Sequence, residues 1–236
     1  MSLAPDPGLT SDPVQAVIVD AGVGNLGNLQ RALERVGAVA AITDDPARIR
    51  AARCLLLPGV GAFKPPRERL RGALEDALRD AVAAGGRLLG ICVGYQLLFE
   101  SSDEFGDTDG LGLLPGRISR LPETVTLPQI GWNRLDVERA STHEAHPLLD
   151  GLDGTYMYFV HSFAPLDVPA DACLARATHG ASFVAVAGAG RVLGTQFHPE
   201  KSGAAGLRLL RNYVDLCRPG HQRDQSAVDP GAEEAA

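Results

Sequence analysis

Apolar runs and helical patterns alternate along the first half of the chain. Short, almost continuous apolar runs predict buried strands, and most are followed by a segment whose apolar residues recur at helical spacing. The predicted strands are residues 14–19, 38–43, 54–57 and 88–91, and the predicted helices are residues 25–36, 67–84 and 95–100. Strand–helix alternation of this kind predicts a parallel sheet with helices on both faces.

The second half has a different pattern. Apolar runs joined by short turns, such as residues 187–190, predict antiparallel strands added to the sheet. These strands are predicted at residues 124–130, 132–137, 155–160, 173–177, 182–186 and 192–197, before a final helix at 207–216. The two halves together predict an α/β fold. It is a flavodoxin-like mixed sheet that has a parallel core, antiparallel additions and helices on both faces.

The two ends of the 236-residue chain differ from the part between them. Residues 1–13 and 219–236 are rich in small, proline and acidic residues with little to bury, so we predict two disordered extensions around one domain at residues 14–218. These ends carry most of the net charge of −7, which leaves the domain close to neutral. Because the domain has no basic block to neutralise phosphates, nucleic acid is not an expected partner.

The cysteines exclude several classes of protein. Cys54, Cys92, Cys173 and Cys217 lie tens of residues apart, with no C-x-x-C pair and no paired Cys/His spacing. We therefore expect no disulfide framework, no metal site and no cofactor. The N-terminus does not have the pattern of a signal peptide, and no apolar run approaches the ~20 residues that span a bilayer. These features predict a cytoplasmic protein without a membrane partner.

A glycine-rich motif follows the first predicted strand. Residues 22–27 read G-x-G-x-x-G, and Asp44 lies near the ~20-residue offset of an acid that binds a nucleotide ribose. The motif is therefore consistent with a dinucleotide site. It is equally consistent with a tight strand-to-helix turn in which Asn25 caps the helix.

A second motif surrounds Cys92. Gly90 and Gly94 flank it at a strand-to-helix turn, which is the pattern of a nucleophile elbow with Cys in place of Ser. The helix that follows would point its free N–H groups at the sulfur and favour the thiolate. The same amides, Val93 above all, are placed to receive an oxyanion. The other three cysteines lack flanking glycines and fit an inert core.

A third motif supplies a base for such a nucleophile. A nucleophilic Cys needs a general base, and the base needs an acceptor that orients it. His198 and Glu200 are two residues apart around Pro199, so an extended chain would place both side chains on one side. The spacing predicts a histidine–carboxylate pair.

These motifs carry a resemblance to a known family. Residues 90–96 (GICVGYQ) and 196–200 (QFHPE) together resemble the class I, triad-type glutamine amidotransferases. Further stretches are similar to the glutaminase subunits of imidazole glycerol phosphate synthase, an enzyme of histidine biosynthesis. These are residues 20–26 (DAGVGNL), 57–63 (LPGVGAF), 130–133 (IGWN), 158–163 (YFVHSF) and 198–202 (HPEKS). The resemblance runs from about residue 14 to residue 216.

The resemblance implies a reaction and its residues. Cys92, His198 and Glu200 would hydrolyse L-glutamine to glutamate and ammonia without a cofactor. Oxyanion donors would be the amide of Val93 and one from the segment of Gly59 and Val60. Since Gly59 and Gly61 flank Val60, a flip of the peptide there would need little energy. The oxyanion hole could therefore be incomplete until a partner binds.

The resemblance also implies substrate and partner contacts. Glutamine recognition would involve Gln96, Glu104, Tyr158, His161 and Ser162. The partner would be a (β/α)₈-barrel cyclase that receives the ammonia within a heterodimer, with Asn25, Trp132, Asn133 and Lys201 at the interface. In this family the glycine-rich motif is a structural and interface turn, which argues against the dinucleotide site.

Some positions depart from the family pattern, and two alternatives stay open. Val93 and Tyr95 stand where Leu and Met are commoner, and Gln129 and Phe163 stand where His and Tyr are frequent. None of these departures removes a catalytic side chain. The alternatives are a glutaminase that serves another synthase, such as one for anthranilate or pyridoxal phosphate, and a nucleotide-binding flavodoxin-like module without enzyme activity.

Overall fold

A computed structural model describes residues 12–139 and 145–220. The predicted tails fall outside the described residues, apart from two positions at the inner end of each tail. The strands are β1 (Gln15–Val19), β2 (Val39–Thr43), β3 (Cys54–Gly59), β4 (Arg87–Cys92), β5 (Ser101–Ser102), β6 (Thr108–Asp109), β7 (Arg117–Arg120), β8 (Gln129–Arg134), β9 (Asp136–Val137), β10 (Tyr156–His161), β11 (Phe163–Pro165), β12 (Cys173–His179), β13 (Ala181–Ala189) and β14 (Val192–Thr195). The α-helices are α1 (Leu26–Arg35), α2 (Pro46–Ala51), α3 (Lys64–Leu70), α4 (Ala73–Ala83), α5 (Val93–Gln96) and α6 (Gly203–Leu216).

Eight strands form the central sheet, in the order β2-β1-β3-β4-β14-β13-β12-β9. The first five are parallel, and β13, β12 and β9 each run antiparallel to the strand before them in that order. Strands β3 and β4 are buried along their whole length, as expected for central strands that helices cover on both faces. The predicted α/β fold with a parallel core and antiparallel additions is confirmed.

The helices contact one another in pairs over this sheet. Helix α1 packs against α6, and α2 packs against α4. Their buried side chains are apolar residues at helical spacing, for example Leu29 and Leu33 in α1 and Leu74 and Leu78 in α4. Burial of these side chains accounts for the helical periodicity seen in the sequence.

The prediction of a single helix over residues 67–84 is wrong. Helix α3 ends at Leu70, and α4 begins at Ala73. Between them Gly72 has φ of 81°, a left-handed conformation that ends one helix and starts the next in a new direction. Helix α2 was not predicted at all, although Asp45 caps it by accepting the N–H of Ala47 at 2.9 Å.

Other boundaries in the second half also differ from the predictions. Residues 124–128, predicted as strand, form turns and bends, and β8 begins only at Gln129. The predicted turn at 187–190 lies too early, because β13 continues to Ala189. Helix α5 ends at Gln96 instead of continuing to residue 100. Four short strands, which have too few residues to show a periodicity, form an additional sheet in the order β11-β7-β5-β6.

The carboxyl ends of the parallel strands meet at one edge of the central sheet. Gly59, the last residue of β3, pairs with Cys92, the last residue of β4, and β14 lies on the other side of β4. Strands β8 and β10 form a separate antiparallel ribbon. Open α/β sheets bind ligands at this edge, so we expect the functional site to lie there.

None of the described helices is long and apolar enough to cross a bilayer.

Candidate active site

Cys92 occupies a sharp turn between β4 and α5. Its backbone has φ of 55° and ψ of −112°, a conformation that a residue other than glycine rarely adopts. The two flanking glycines are needed for space. A Cβ on Gly94 would lie 1.8 Å from the carbonyl oxygen of Leu57, and one on Gly90 would lie 2.7 Å from the Cα of Tyr95. The turn therefore presents the Cys92 side chain at the start of α5.

His198 and Glu200 form a buried pair after β14. The two residues flank Pro199 at the start of a 3₁₀ turn, and Glu200 Oε1 lies 2.8 Å from His198 Nδ1. The contact means that Nδ1–H donates to the carboxylate, which leaves Nε2 as the atom available for chemistry. Nε2 is buried and has no hydrogen bond of ordinary geometry within residues 12–139 and 145–220.

The pKa of His198 is shifted by burial and by its two neighbours, Cys92 and Glu200. Burial alone would lower this pKa, but hydrogen bonding and charge interactions with Cys92 and Glu200 outweigh burial and raise it to about 9. Although the sulfur and Nε2 do not form a hydrogen bond of ordinary geometry, Cys92 is therefore close enough to bias the imidazole toward its protonated form. A protonated imidazole beside a sulfur is the arrangement of a thiolate–imidazolium pair.

Two residues without a predicted role contact Cys92 or His198. Ser202 Oγ donates to the carbonyl oxygen of His198 at 2.7 Å and accepts the N–H of Tyr158 at 3.0 Å. Gln196 is fully buried, and its Nε2 lies 4.0 Å from Cys92 Sγ. Gln196 stands two residues before His198, so the alternation of an extended chain could have indicated it. Ser202 ends the stretch 198–202 that carries part of the family resemblance, but the sequence analysis assigned it no role.

A cleft of about 1020 Å³ opens at this edge of the sheet. It brings together residues that are far apart in the chain. The predicted site residues that line it are Cys92, Val93, Gln96, Glu104, His161, Ser162, His198, Val60, Asn25 and Lys201. The cleft is large enough for an amino acid beside the sulfur.

Two stretches of backbone, the start of α5 and the segment of Gly59 to Gly61, lie close to the Cys92 turn. Val93 is the first residue of α5, a position at which the backbone N–H has no partner inside the helix. Gly59 lies opposite Cys92 in the sheet, and a Cβ on Gly59 would meet the backbone nitrogen of Gly94 at 2.7 Å. Gly61 follows with φ of 86°. The segment of Gly59 to Gly61 thus approaches the elbow closely and requires glycine.

Gln96 and His161 contribute oriented polar groups. Gln96 Nε2 donates to the carbonyl oxygen of Phe163 at 2.8 Å and to Gln196 Oε1 at 3.2 Å, so its own oxygen is the free end of the amide. Burial lowers the pKa of His161 to about 4, so this imidazole is neutral at physiological pH. Because His161 Nδ1 lies 2.9 Å from the carbonyl oxygen of Phe163, Nδ1 carries the hydrogen and the buried Nε2 is an acceptor.

Tyr158, Trp132, Asn133 and Lys201 lie on or beside the β8–β10 ribbon. Tyr158 does not line the cleft. Its ring packs edge-on against Trp132 with 6.0 Å between centroids, and Lys201 Nζ lies 5.8 Å from the same ring. Asn133 alternates to the other side of β8, where its Nδ2 donates to the carbonyl oxygen of Thr178 at 2.6 Å.

The glycine-rich turn has a structural explanation. Gly22 and Gly24 have φ of 77° and 124°, and Asn25 accepts the N–H of Asn28 at 3.3 Å to cap α1. The carboxylate of Asp44 is paired with Arg69 at 2.8 Å. These contacts account for the motif without a nucleotide. In the described part of the chain, no group of three or more His, Cys, Asp or Glu side chains is arranged to hold a metal ion.

Known proteins are similar to this chain in sequence and in fold. Residues 17–216 match the family "Glutamine amidotransferase class-I". Imidazole glycerol phosphate synthase subunit HisH of Symbiobacterium thermophilum is 48% identical over 199 residues, 84% of this chain and 92% of that protein. The protein of the same name from Halobacterium salinarum is 48% identical over 208 residues, with coverage of 85% and 93%. A crystal structure of a glutamine amidotransferase superposes with a TM-score of 0.67 at 24% identity, with coverage of 85% and 98%. The chain belongs to the class-I glutamine amidotransferase family, together with the HisH subunits of imidazole glycerol phosphate synthase.

Proposed function

We propose that this protein is the glutaminase subunit of an imidazole glycerol phosphate synthase and supplies ammonia for histidine biosynthesis. The observation that carries the proposal is the meeting of Cys92 with the His198–Glu200 pair in one cleft at the carboxyl edge of the sheet. The 48% identity to the HisH subunits, over almost their whole length, supports this assignment rather than another glutaminase. The four free cysteines suit a reducing compartment, and we place the reaction in the cytoplasm.

Acylation begins with the Cys92 thiolate. The raised pKa of His198 makes Nε2 a good acceptor for the thiol proton, and transfer of that proton to Nε2 generates the thiolate. The sulfur attacks the side-chain amide carbon of L-glutamine, and the carbonyl becomes an oxyanion. When the C–N bond breaks, His198 returns the proton to the leaving nitrogen, which departs as ammonia and leaves a γ-glutamyl thioester on Cys92.

Deacylation uses the same histidine as a base. After ammonia has left, neutral His198 takes a proton from a water molecule as its oxygen attacks the thioester carbon. The C–S bond then breaks, glutamate is released, and the proton on His198 restores the thiolate–imidazolium pair. Glu200 keeps Nε2 directed at the sulfur through both half-reactions by accepting from Nδ1–H and stabilising the cation.

Backbone amides stabilise the oxyanion. The first donor is Val93 N–H at the start of α5, and the second comes from the segment of Gly59 and Val60. A lost donor in such a hole typically reduces turnover by ~10²–10³-fold. Because Gly61 adopts a left-handed conformation beside Val60, a flip of the intervening peptide has a low barrier, and partner binding completes the hole.

Substrate recognition follows from the polar groups of the cleft. The free amide oxygen of Gln96 and the backbone around His161 and Ser162 contact the glutamine, and the carboxylate of Glu104 binds its α-ammonium group. Tyr158 contributes through its backbone, because its N–H and carbonyl hold Ser202 and His198 respectively while its ring lies outside the cleft.

An exposed apolar surface beside the cleft supports docking of a partner. We define the ribbon face as Ile130, Trp132, Tyr156 and Tyr158, which lie on one side of β8 and β10. Ile130 and Trp132 are 65% and 53% exposed, which is unusual for large apolar side chains that lie side by side. The face continues to the cleft through Lys201, which contacts Tyr158 and lines the cleft.

The chemistry indicates why a partner must cover this surface. Ammonia in water at neutral pH is mostly protonated and no longer nucleophilic, so it must pass directly to the acceptor. We propose a heterodimer in which a (β/α)₈-barrel cyclase covers the cleft mouth and the ribbon face. Trp132, Lys201 and Asn25 would contact the cyclase, and Asn133 would hold β8 in place from the opposite side.

A glutamine-analogue electrophile tests the reaction. We expect it to modify Cys92, as located by mass mapping, faster in the presence of the cyclase. Cys92→Ala should abolish the modification, whereas Cys173→Ala, which removes a buried cysteine on β12, should leave it intact. Complementation of a histidine auxotroph tests the pathway. Growth that depends on Cys92 supports the assignment, and labelling without complementation would indicate a glutaminase of another synthase.

A further inference from the structure

One hydrogen bond joins two parts of the site that are 41 residues apart. The backbone N–H of Phe63 donates to Glu104 Oε2 at 2.8 Å. Phe63 ends the segment that starts at Gly59, the last residue of β3, and runs through Val60 and Gly61, whereas Glu104 lies in the loop between β5 and β6. The contact therefore connects the proposed oxyanion segment with the proposed anchor of the substrate ammonium.

The carboxylate of Glu104 is arranged to receive a cation. Burial raises its pKa, the Phe63 hydrogen bond lowers it, and the neighbouring Asp103 raises it further, with a net upward shift. Across residues 12–139 and 145–220 no Lys, Arg or His side chain forms an ion pair with Glu104. A half-buried carboxylate that lines a cleft and lacks a counter-ion gains most from a ligand that brings a positive charge.

Phe63 fixes one end of the oxyanion segment. Its side chain is fully buried, and α3 begins at the next residue. The other end of the segment is held by the pairing of Gly59 with Cys92 in the sheet. Between these points Gly61 has φ of 86°, and no side-chain atom lies within 4 Å of where its Cβ would be. The segment is thus held at both ends, and no neighbouring atoms pack against the Cβ position of Gly61 in its middle.

A second contact ties α3 to the end of β6, the strand that follows the Glu104 loop. Arg67, in α3, is almost fully buried. Its Nε donates to the carbonyl oxygens of Asp109 and Gly110 at 2.8 and 3.2 Å, and its Nη1 donates to Glu75 at 2.8 Å. The Glu104 loop is therefore tied to this part of the chain directly through Phe63 and, by way of β6, through Arg67, so a shift of Glu104 would disturb its hydrogen bond to the Phe63 amide.

We infer that Glu104 is a positioning residue for the oxyanion segment in addition to a binding residue for the substrate ammonium, an inference that rests on the function proposed above. One oxygen, Oε2, holds Phe63 N–H, and the other receives the α-ammonium of glutamine. The ammonium keeps the carboxylate ionised in its half-buried place, and an ionised carboxylate is the stronger acceptor for Phe63 N–H. Glutamine binding thereby stiffens the segment that supplies the second oxyanion donor.

Two substitutions separate the two roles. Glu104→Gln keeps an oxygen that accepts Phe63 N–H but removes the charge, whereas Glu104→Met has similar length and no oxygen. With saturating cyclase, we expect Glu104→Gln to raise KM for glutamine about 10- to 100-fold and to change kcat less than about threefold. We expect Glu104→Met to raise KM similarly and also to lower kcat about 10²-fold or more, as for loss of an oxyanion donor.

A substrate without the ammonium group gives an independent measurement. Glutaric acid monoamide is glutamine without its α-amino group, so the charge of Glu104 does not aid its binding. Its kcat/KM should be similar for the unaltered protein and Glu104→Gln and clearly lower for Glu104→Met. Asp107→Asn and Asp107→Ala, at a largely exposed acid in the same loop, form the control pair and should behave alike.

The outcomes distinguish this inference from the function on which it rests. If the unaltered protein does not hydrolyse glutamine with the cyclase present, the proposed function fails. If it does, but kcat is the same for Glu104→Gln and Glu104→Met, Glu104 has no positioning role. Circular dichroism and thermal unfolding show whether both variants are folded, and Glu104→Ala replaces Glu104→Met if the latter is not. Equal kcat in the folded pair overturns the inference.

Discussion

Ser202 fixes the backbone of His198 through a side-chain hydrogen bond. The Ser202 hydroxyl donates to the carbonyl oxygen of His198 at 2.7 Å, and the hydroxyl oxygen accepts the N–H of Tyr158 at 3.0 Å. His198 N–H in turn donates to the carbonyl oxygen of Tyr158 at 3.0 Å. The catalytic histidine is therefore fixed to β10 by its backbone, while Glu200 fixes its ring.

Replacement of Ser202 by alanine should impair both stability and turnover. The change removes the only side-chain hydroxyl in this set of contacts and leaves the partly buried Tyr158 N–H without its partner, which typically costs ~1 kcal/mol or more. A small displacement of His198 should also lower kcat by about tenfold or more. Denaturant unfolding and steady-state kinetics measure the two effects. Ser182→Ala, at an exposed serine on β13, is the control, and a Ser202→Ala variant that behaves like it would contradict this role.

The catalytic residues of the site were easier to predict from the sequence than the residues that hold them in place. The elbow and the histidine–carboxylate pair are encoded locally, in the glycines beside Cys92 and in the two-residue spacing around Pro199. The contacts of Ser202 and Gln196 depend on which strands become neighbours. Both residues stand in the stretches that carry the family resemblance, and chain alternation could have indicated Gln196, but their contacts with Cys92 and Tyr158 emerged only from the structure.

The same distinction applies to the fold. Alternation of apolar runs and helical spacing predicted the parallel core, since a continuous apolar run marks a strand buried on both faces and helical spacing marks a helix that buries one face. The break at Gly72 was missed because the apolar spacing continues across it. The strand predicted at residues 124–130 begins too early, because pairing with β10 starts only at Gln129. Register between distant strands is not a property of either strand alone.

The pH dependence of glutamine hydrolysis should follow His198. Its pKa is about 9, because interactions with Cys92 and Glu200 outweigh the effect of burial. We expect kcat/KM to fall as pH rises through about 9, where the imidazolium loses its proton. In Glu200→Gln the carboxylate charge is lost, so this alkaline limit should move to lower pH by about one to three units. The profile is measured with the cyclase bound, and an unchanged limit would show that Glu200 does not control the histidine.

The same raised pKa predicts the sign of a stability change. A histidine whose pKa is raised from 6.5 to about 9 on folding stabilises the native state fully below pH 6.5. This contribution is lost as pH rises through about 9. The difference in unfolding free energy between the unaltered protein and His198→Ala should therefore shrink from pH 6 to pH 10. A difference that grows over this range would contradict the raised pKa.

Gly194 leaves the space that Tyr95 fills. A Cβ at Gly194 would lie 2.1 Å from Cδ2 of the Tyr95 ring, which is fully buried behind the elbow and packs edge-on against Phe99. Gly194→Ala should therefore destabilise the protein by ~1–3 kcal/mol through overpacking. Gly27→Ala, in α1 where the nearest atom is the end of Arg31 at 3.5 Å, is the matched control and should be close to neutral.

A double-mutant cycle identifies the cause of that effect. Because Tyr95→Leu removes the ring that an alanine at position 194 would meet, the two substitutions together should cost less than the sum of their separate costs. Unfolding free energies of the four proteins give the coupling. Strict additivity would mean that the backbone of β14, rather than the Tyr95 ring, resists the substitution.

Trp132 should be an energetic centre of the contact with the cyclase. Its ring is half exposed on the ribbon face, rests against Tyr158 and adjoins the exposed Ile130, so a partner that covers this face would bury a large apolar area. Truncation of such an anchor typically costs about 2 kcal/mol or more, so Trp132→Ala should weaken binding by about 30-fold or more in calorimetric titration. Val39→Ala is the control, because Val39 is similarly exposed but lies on β2 at the far edge of the sheet. If Trp132→Ala binds the cyclase as tightly as Val39→Ala does, the ribbon face is not the docking surface and the ammonia must leave the cleft elsewhere.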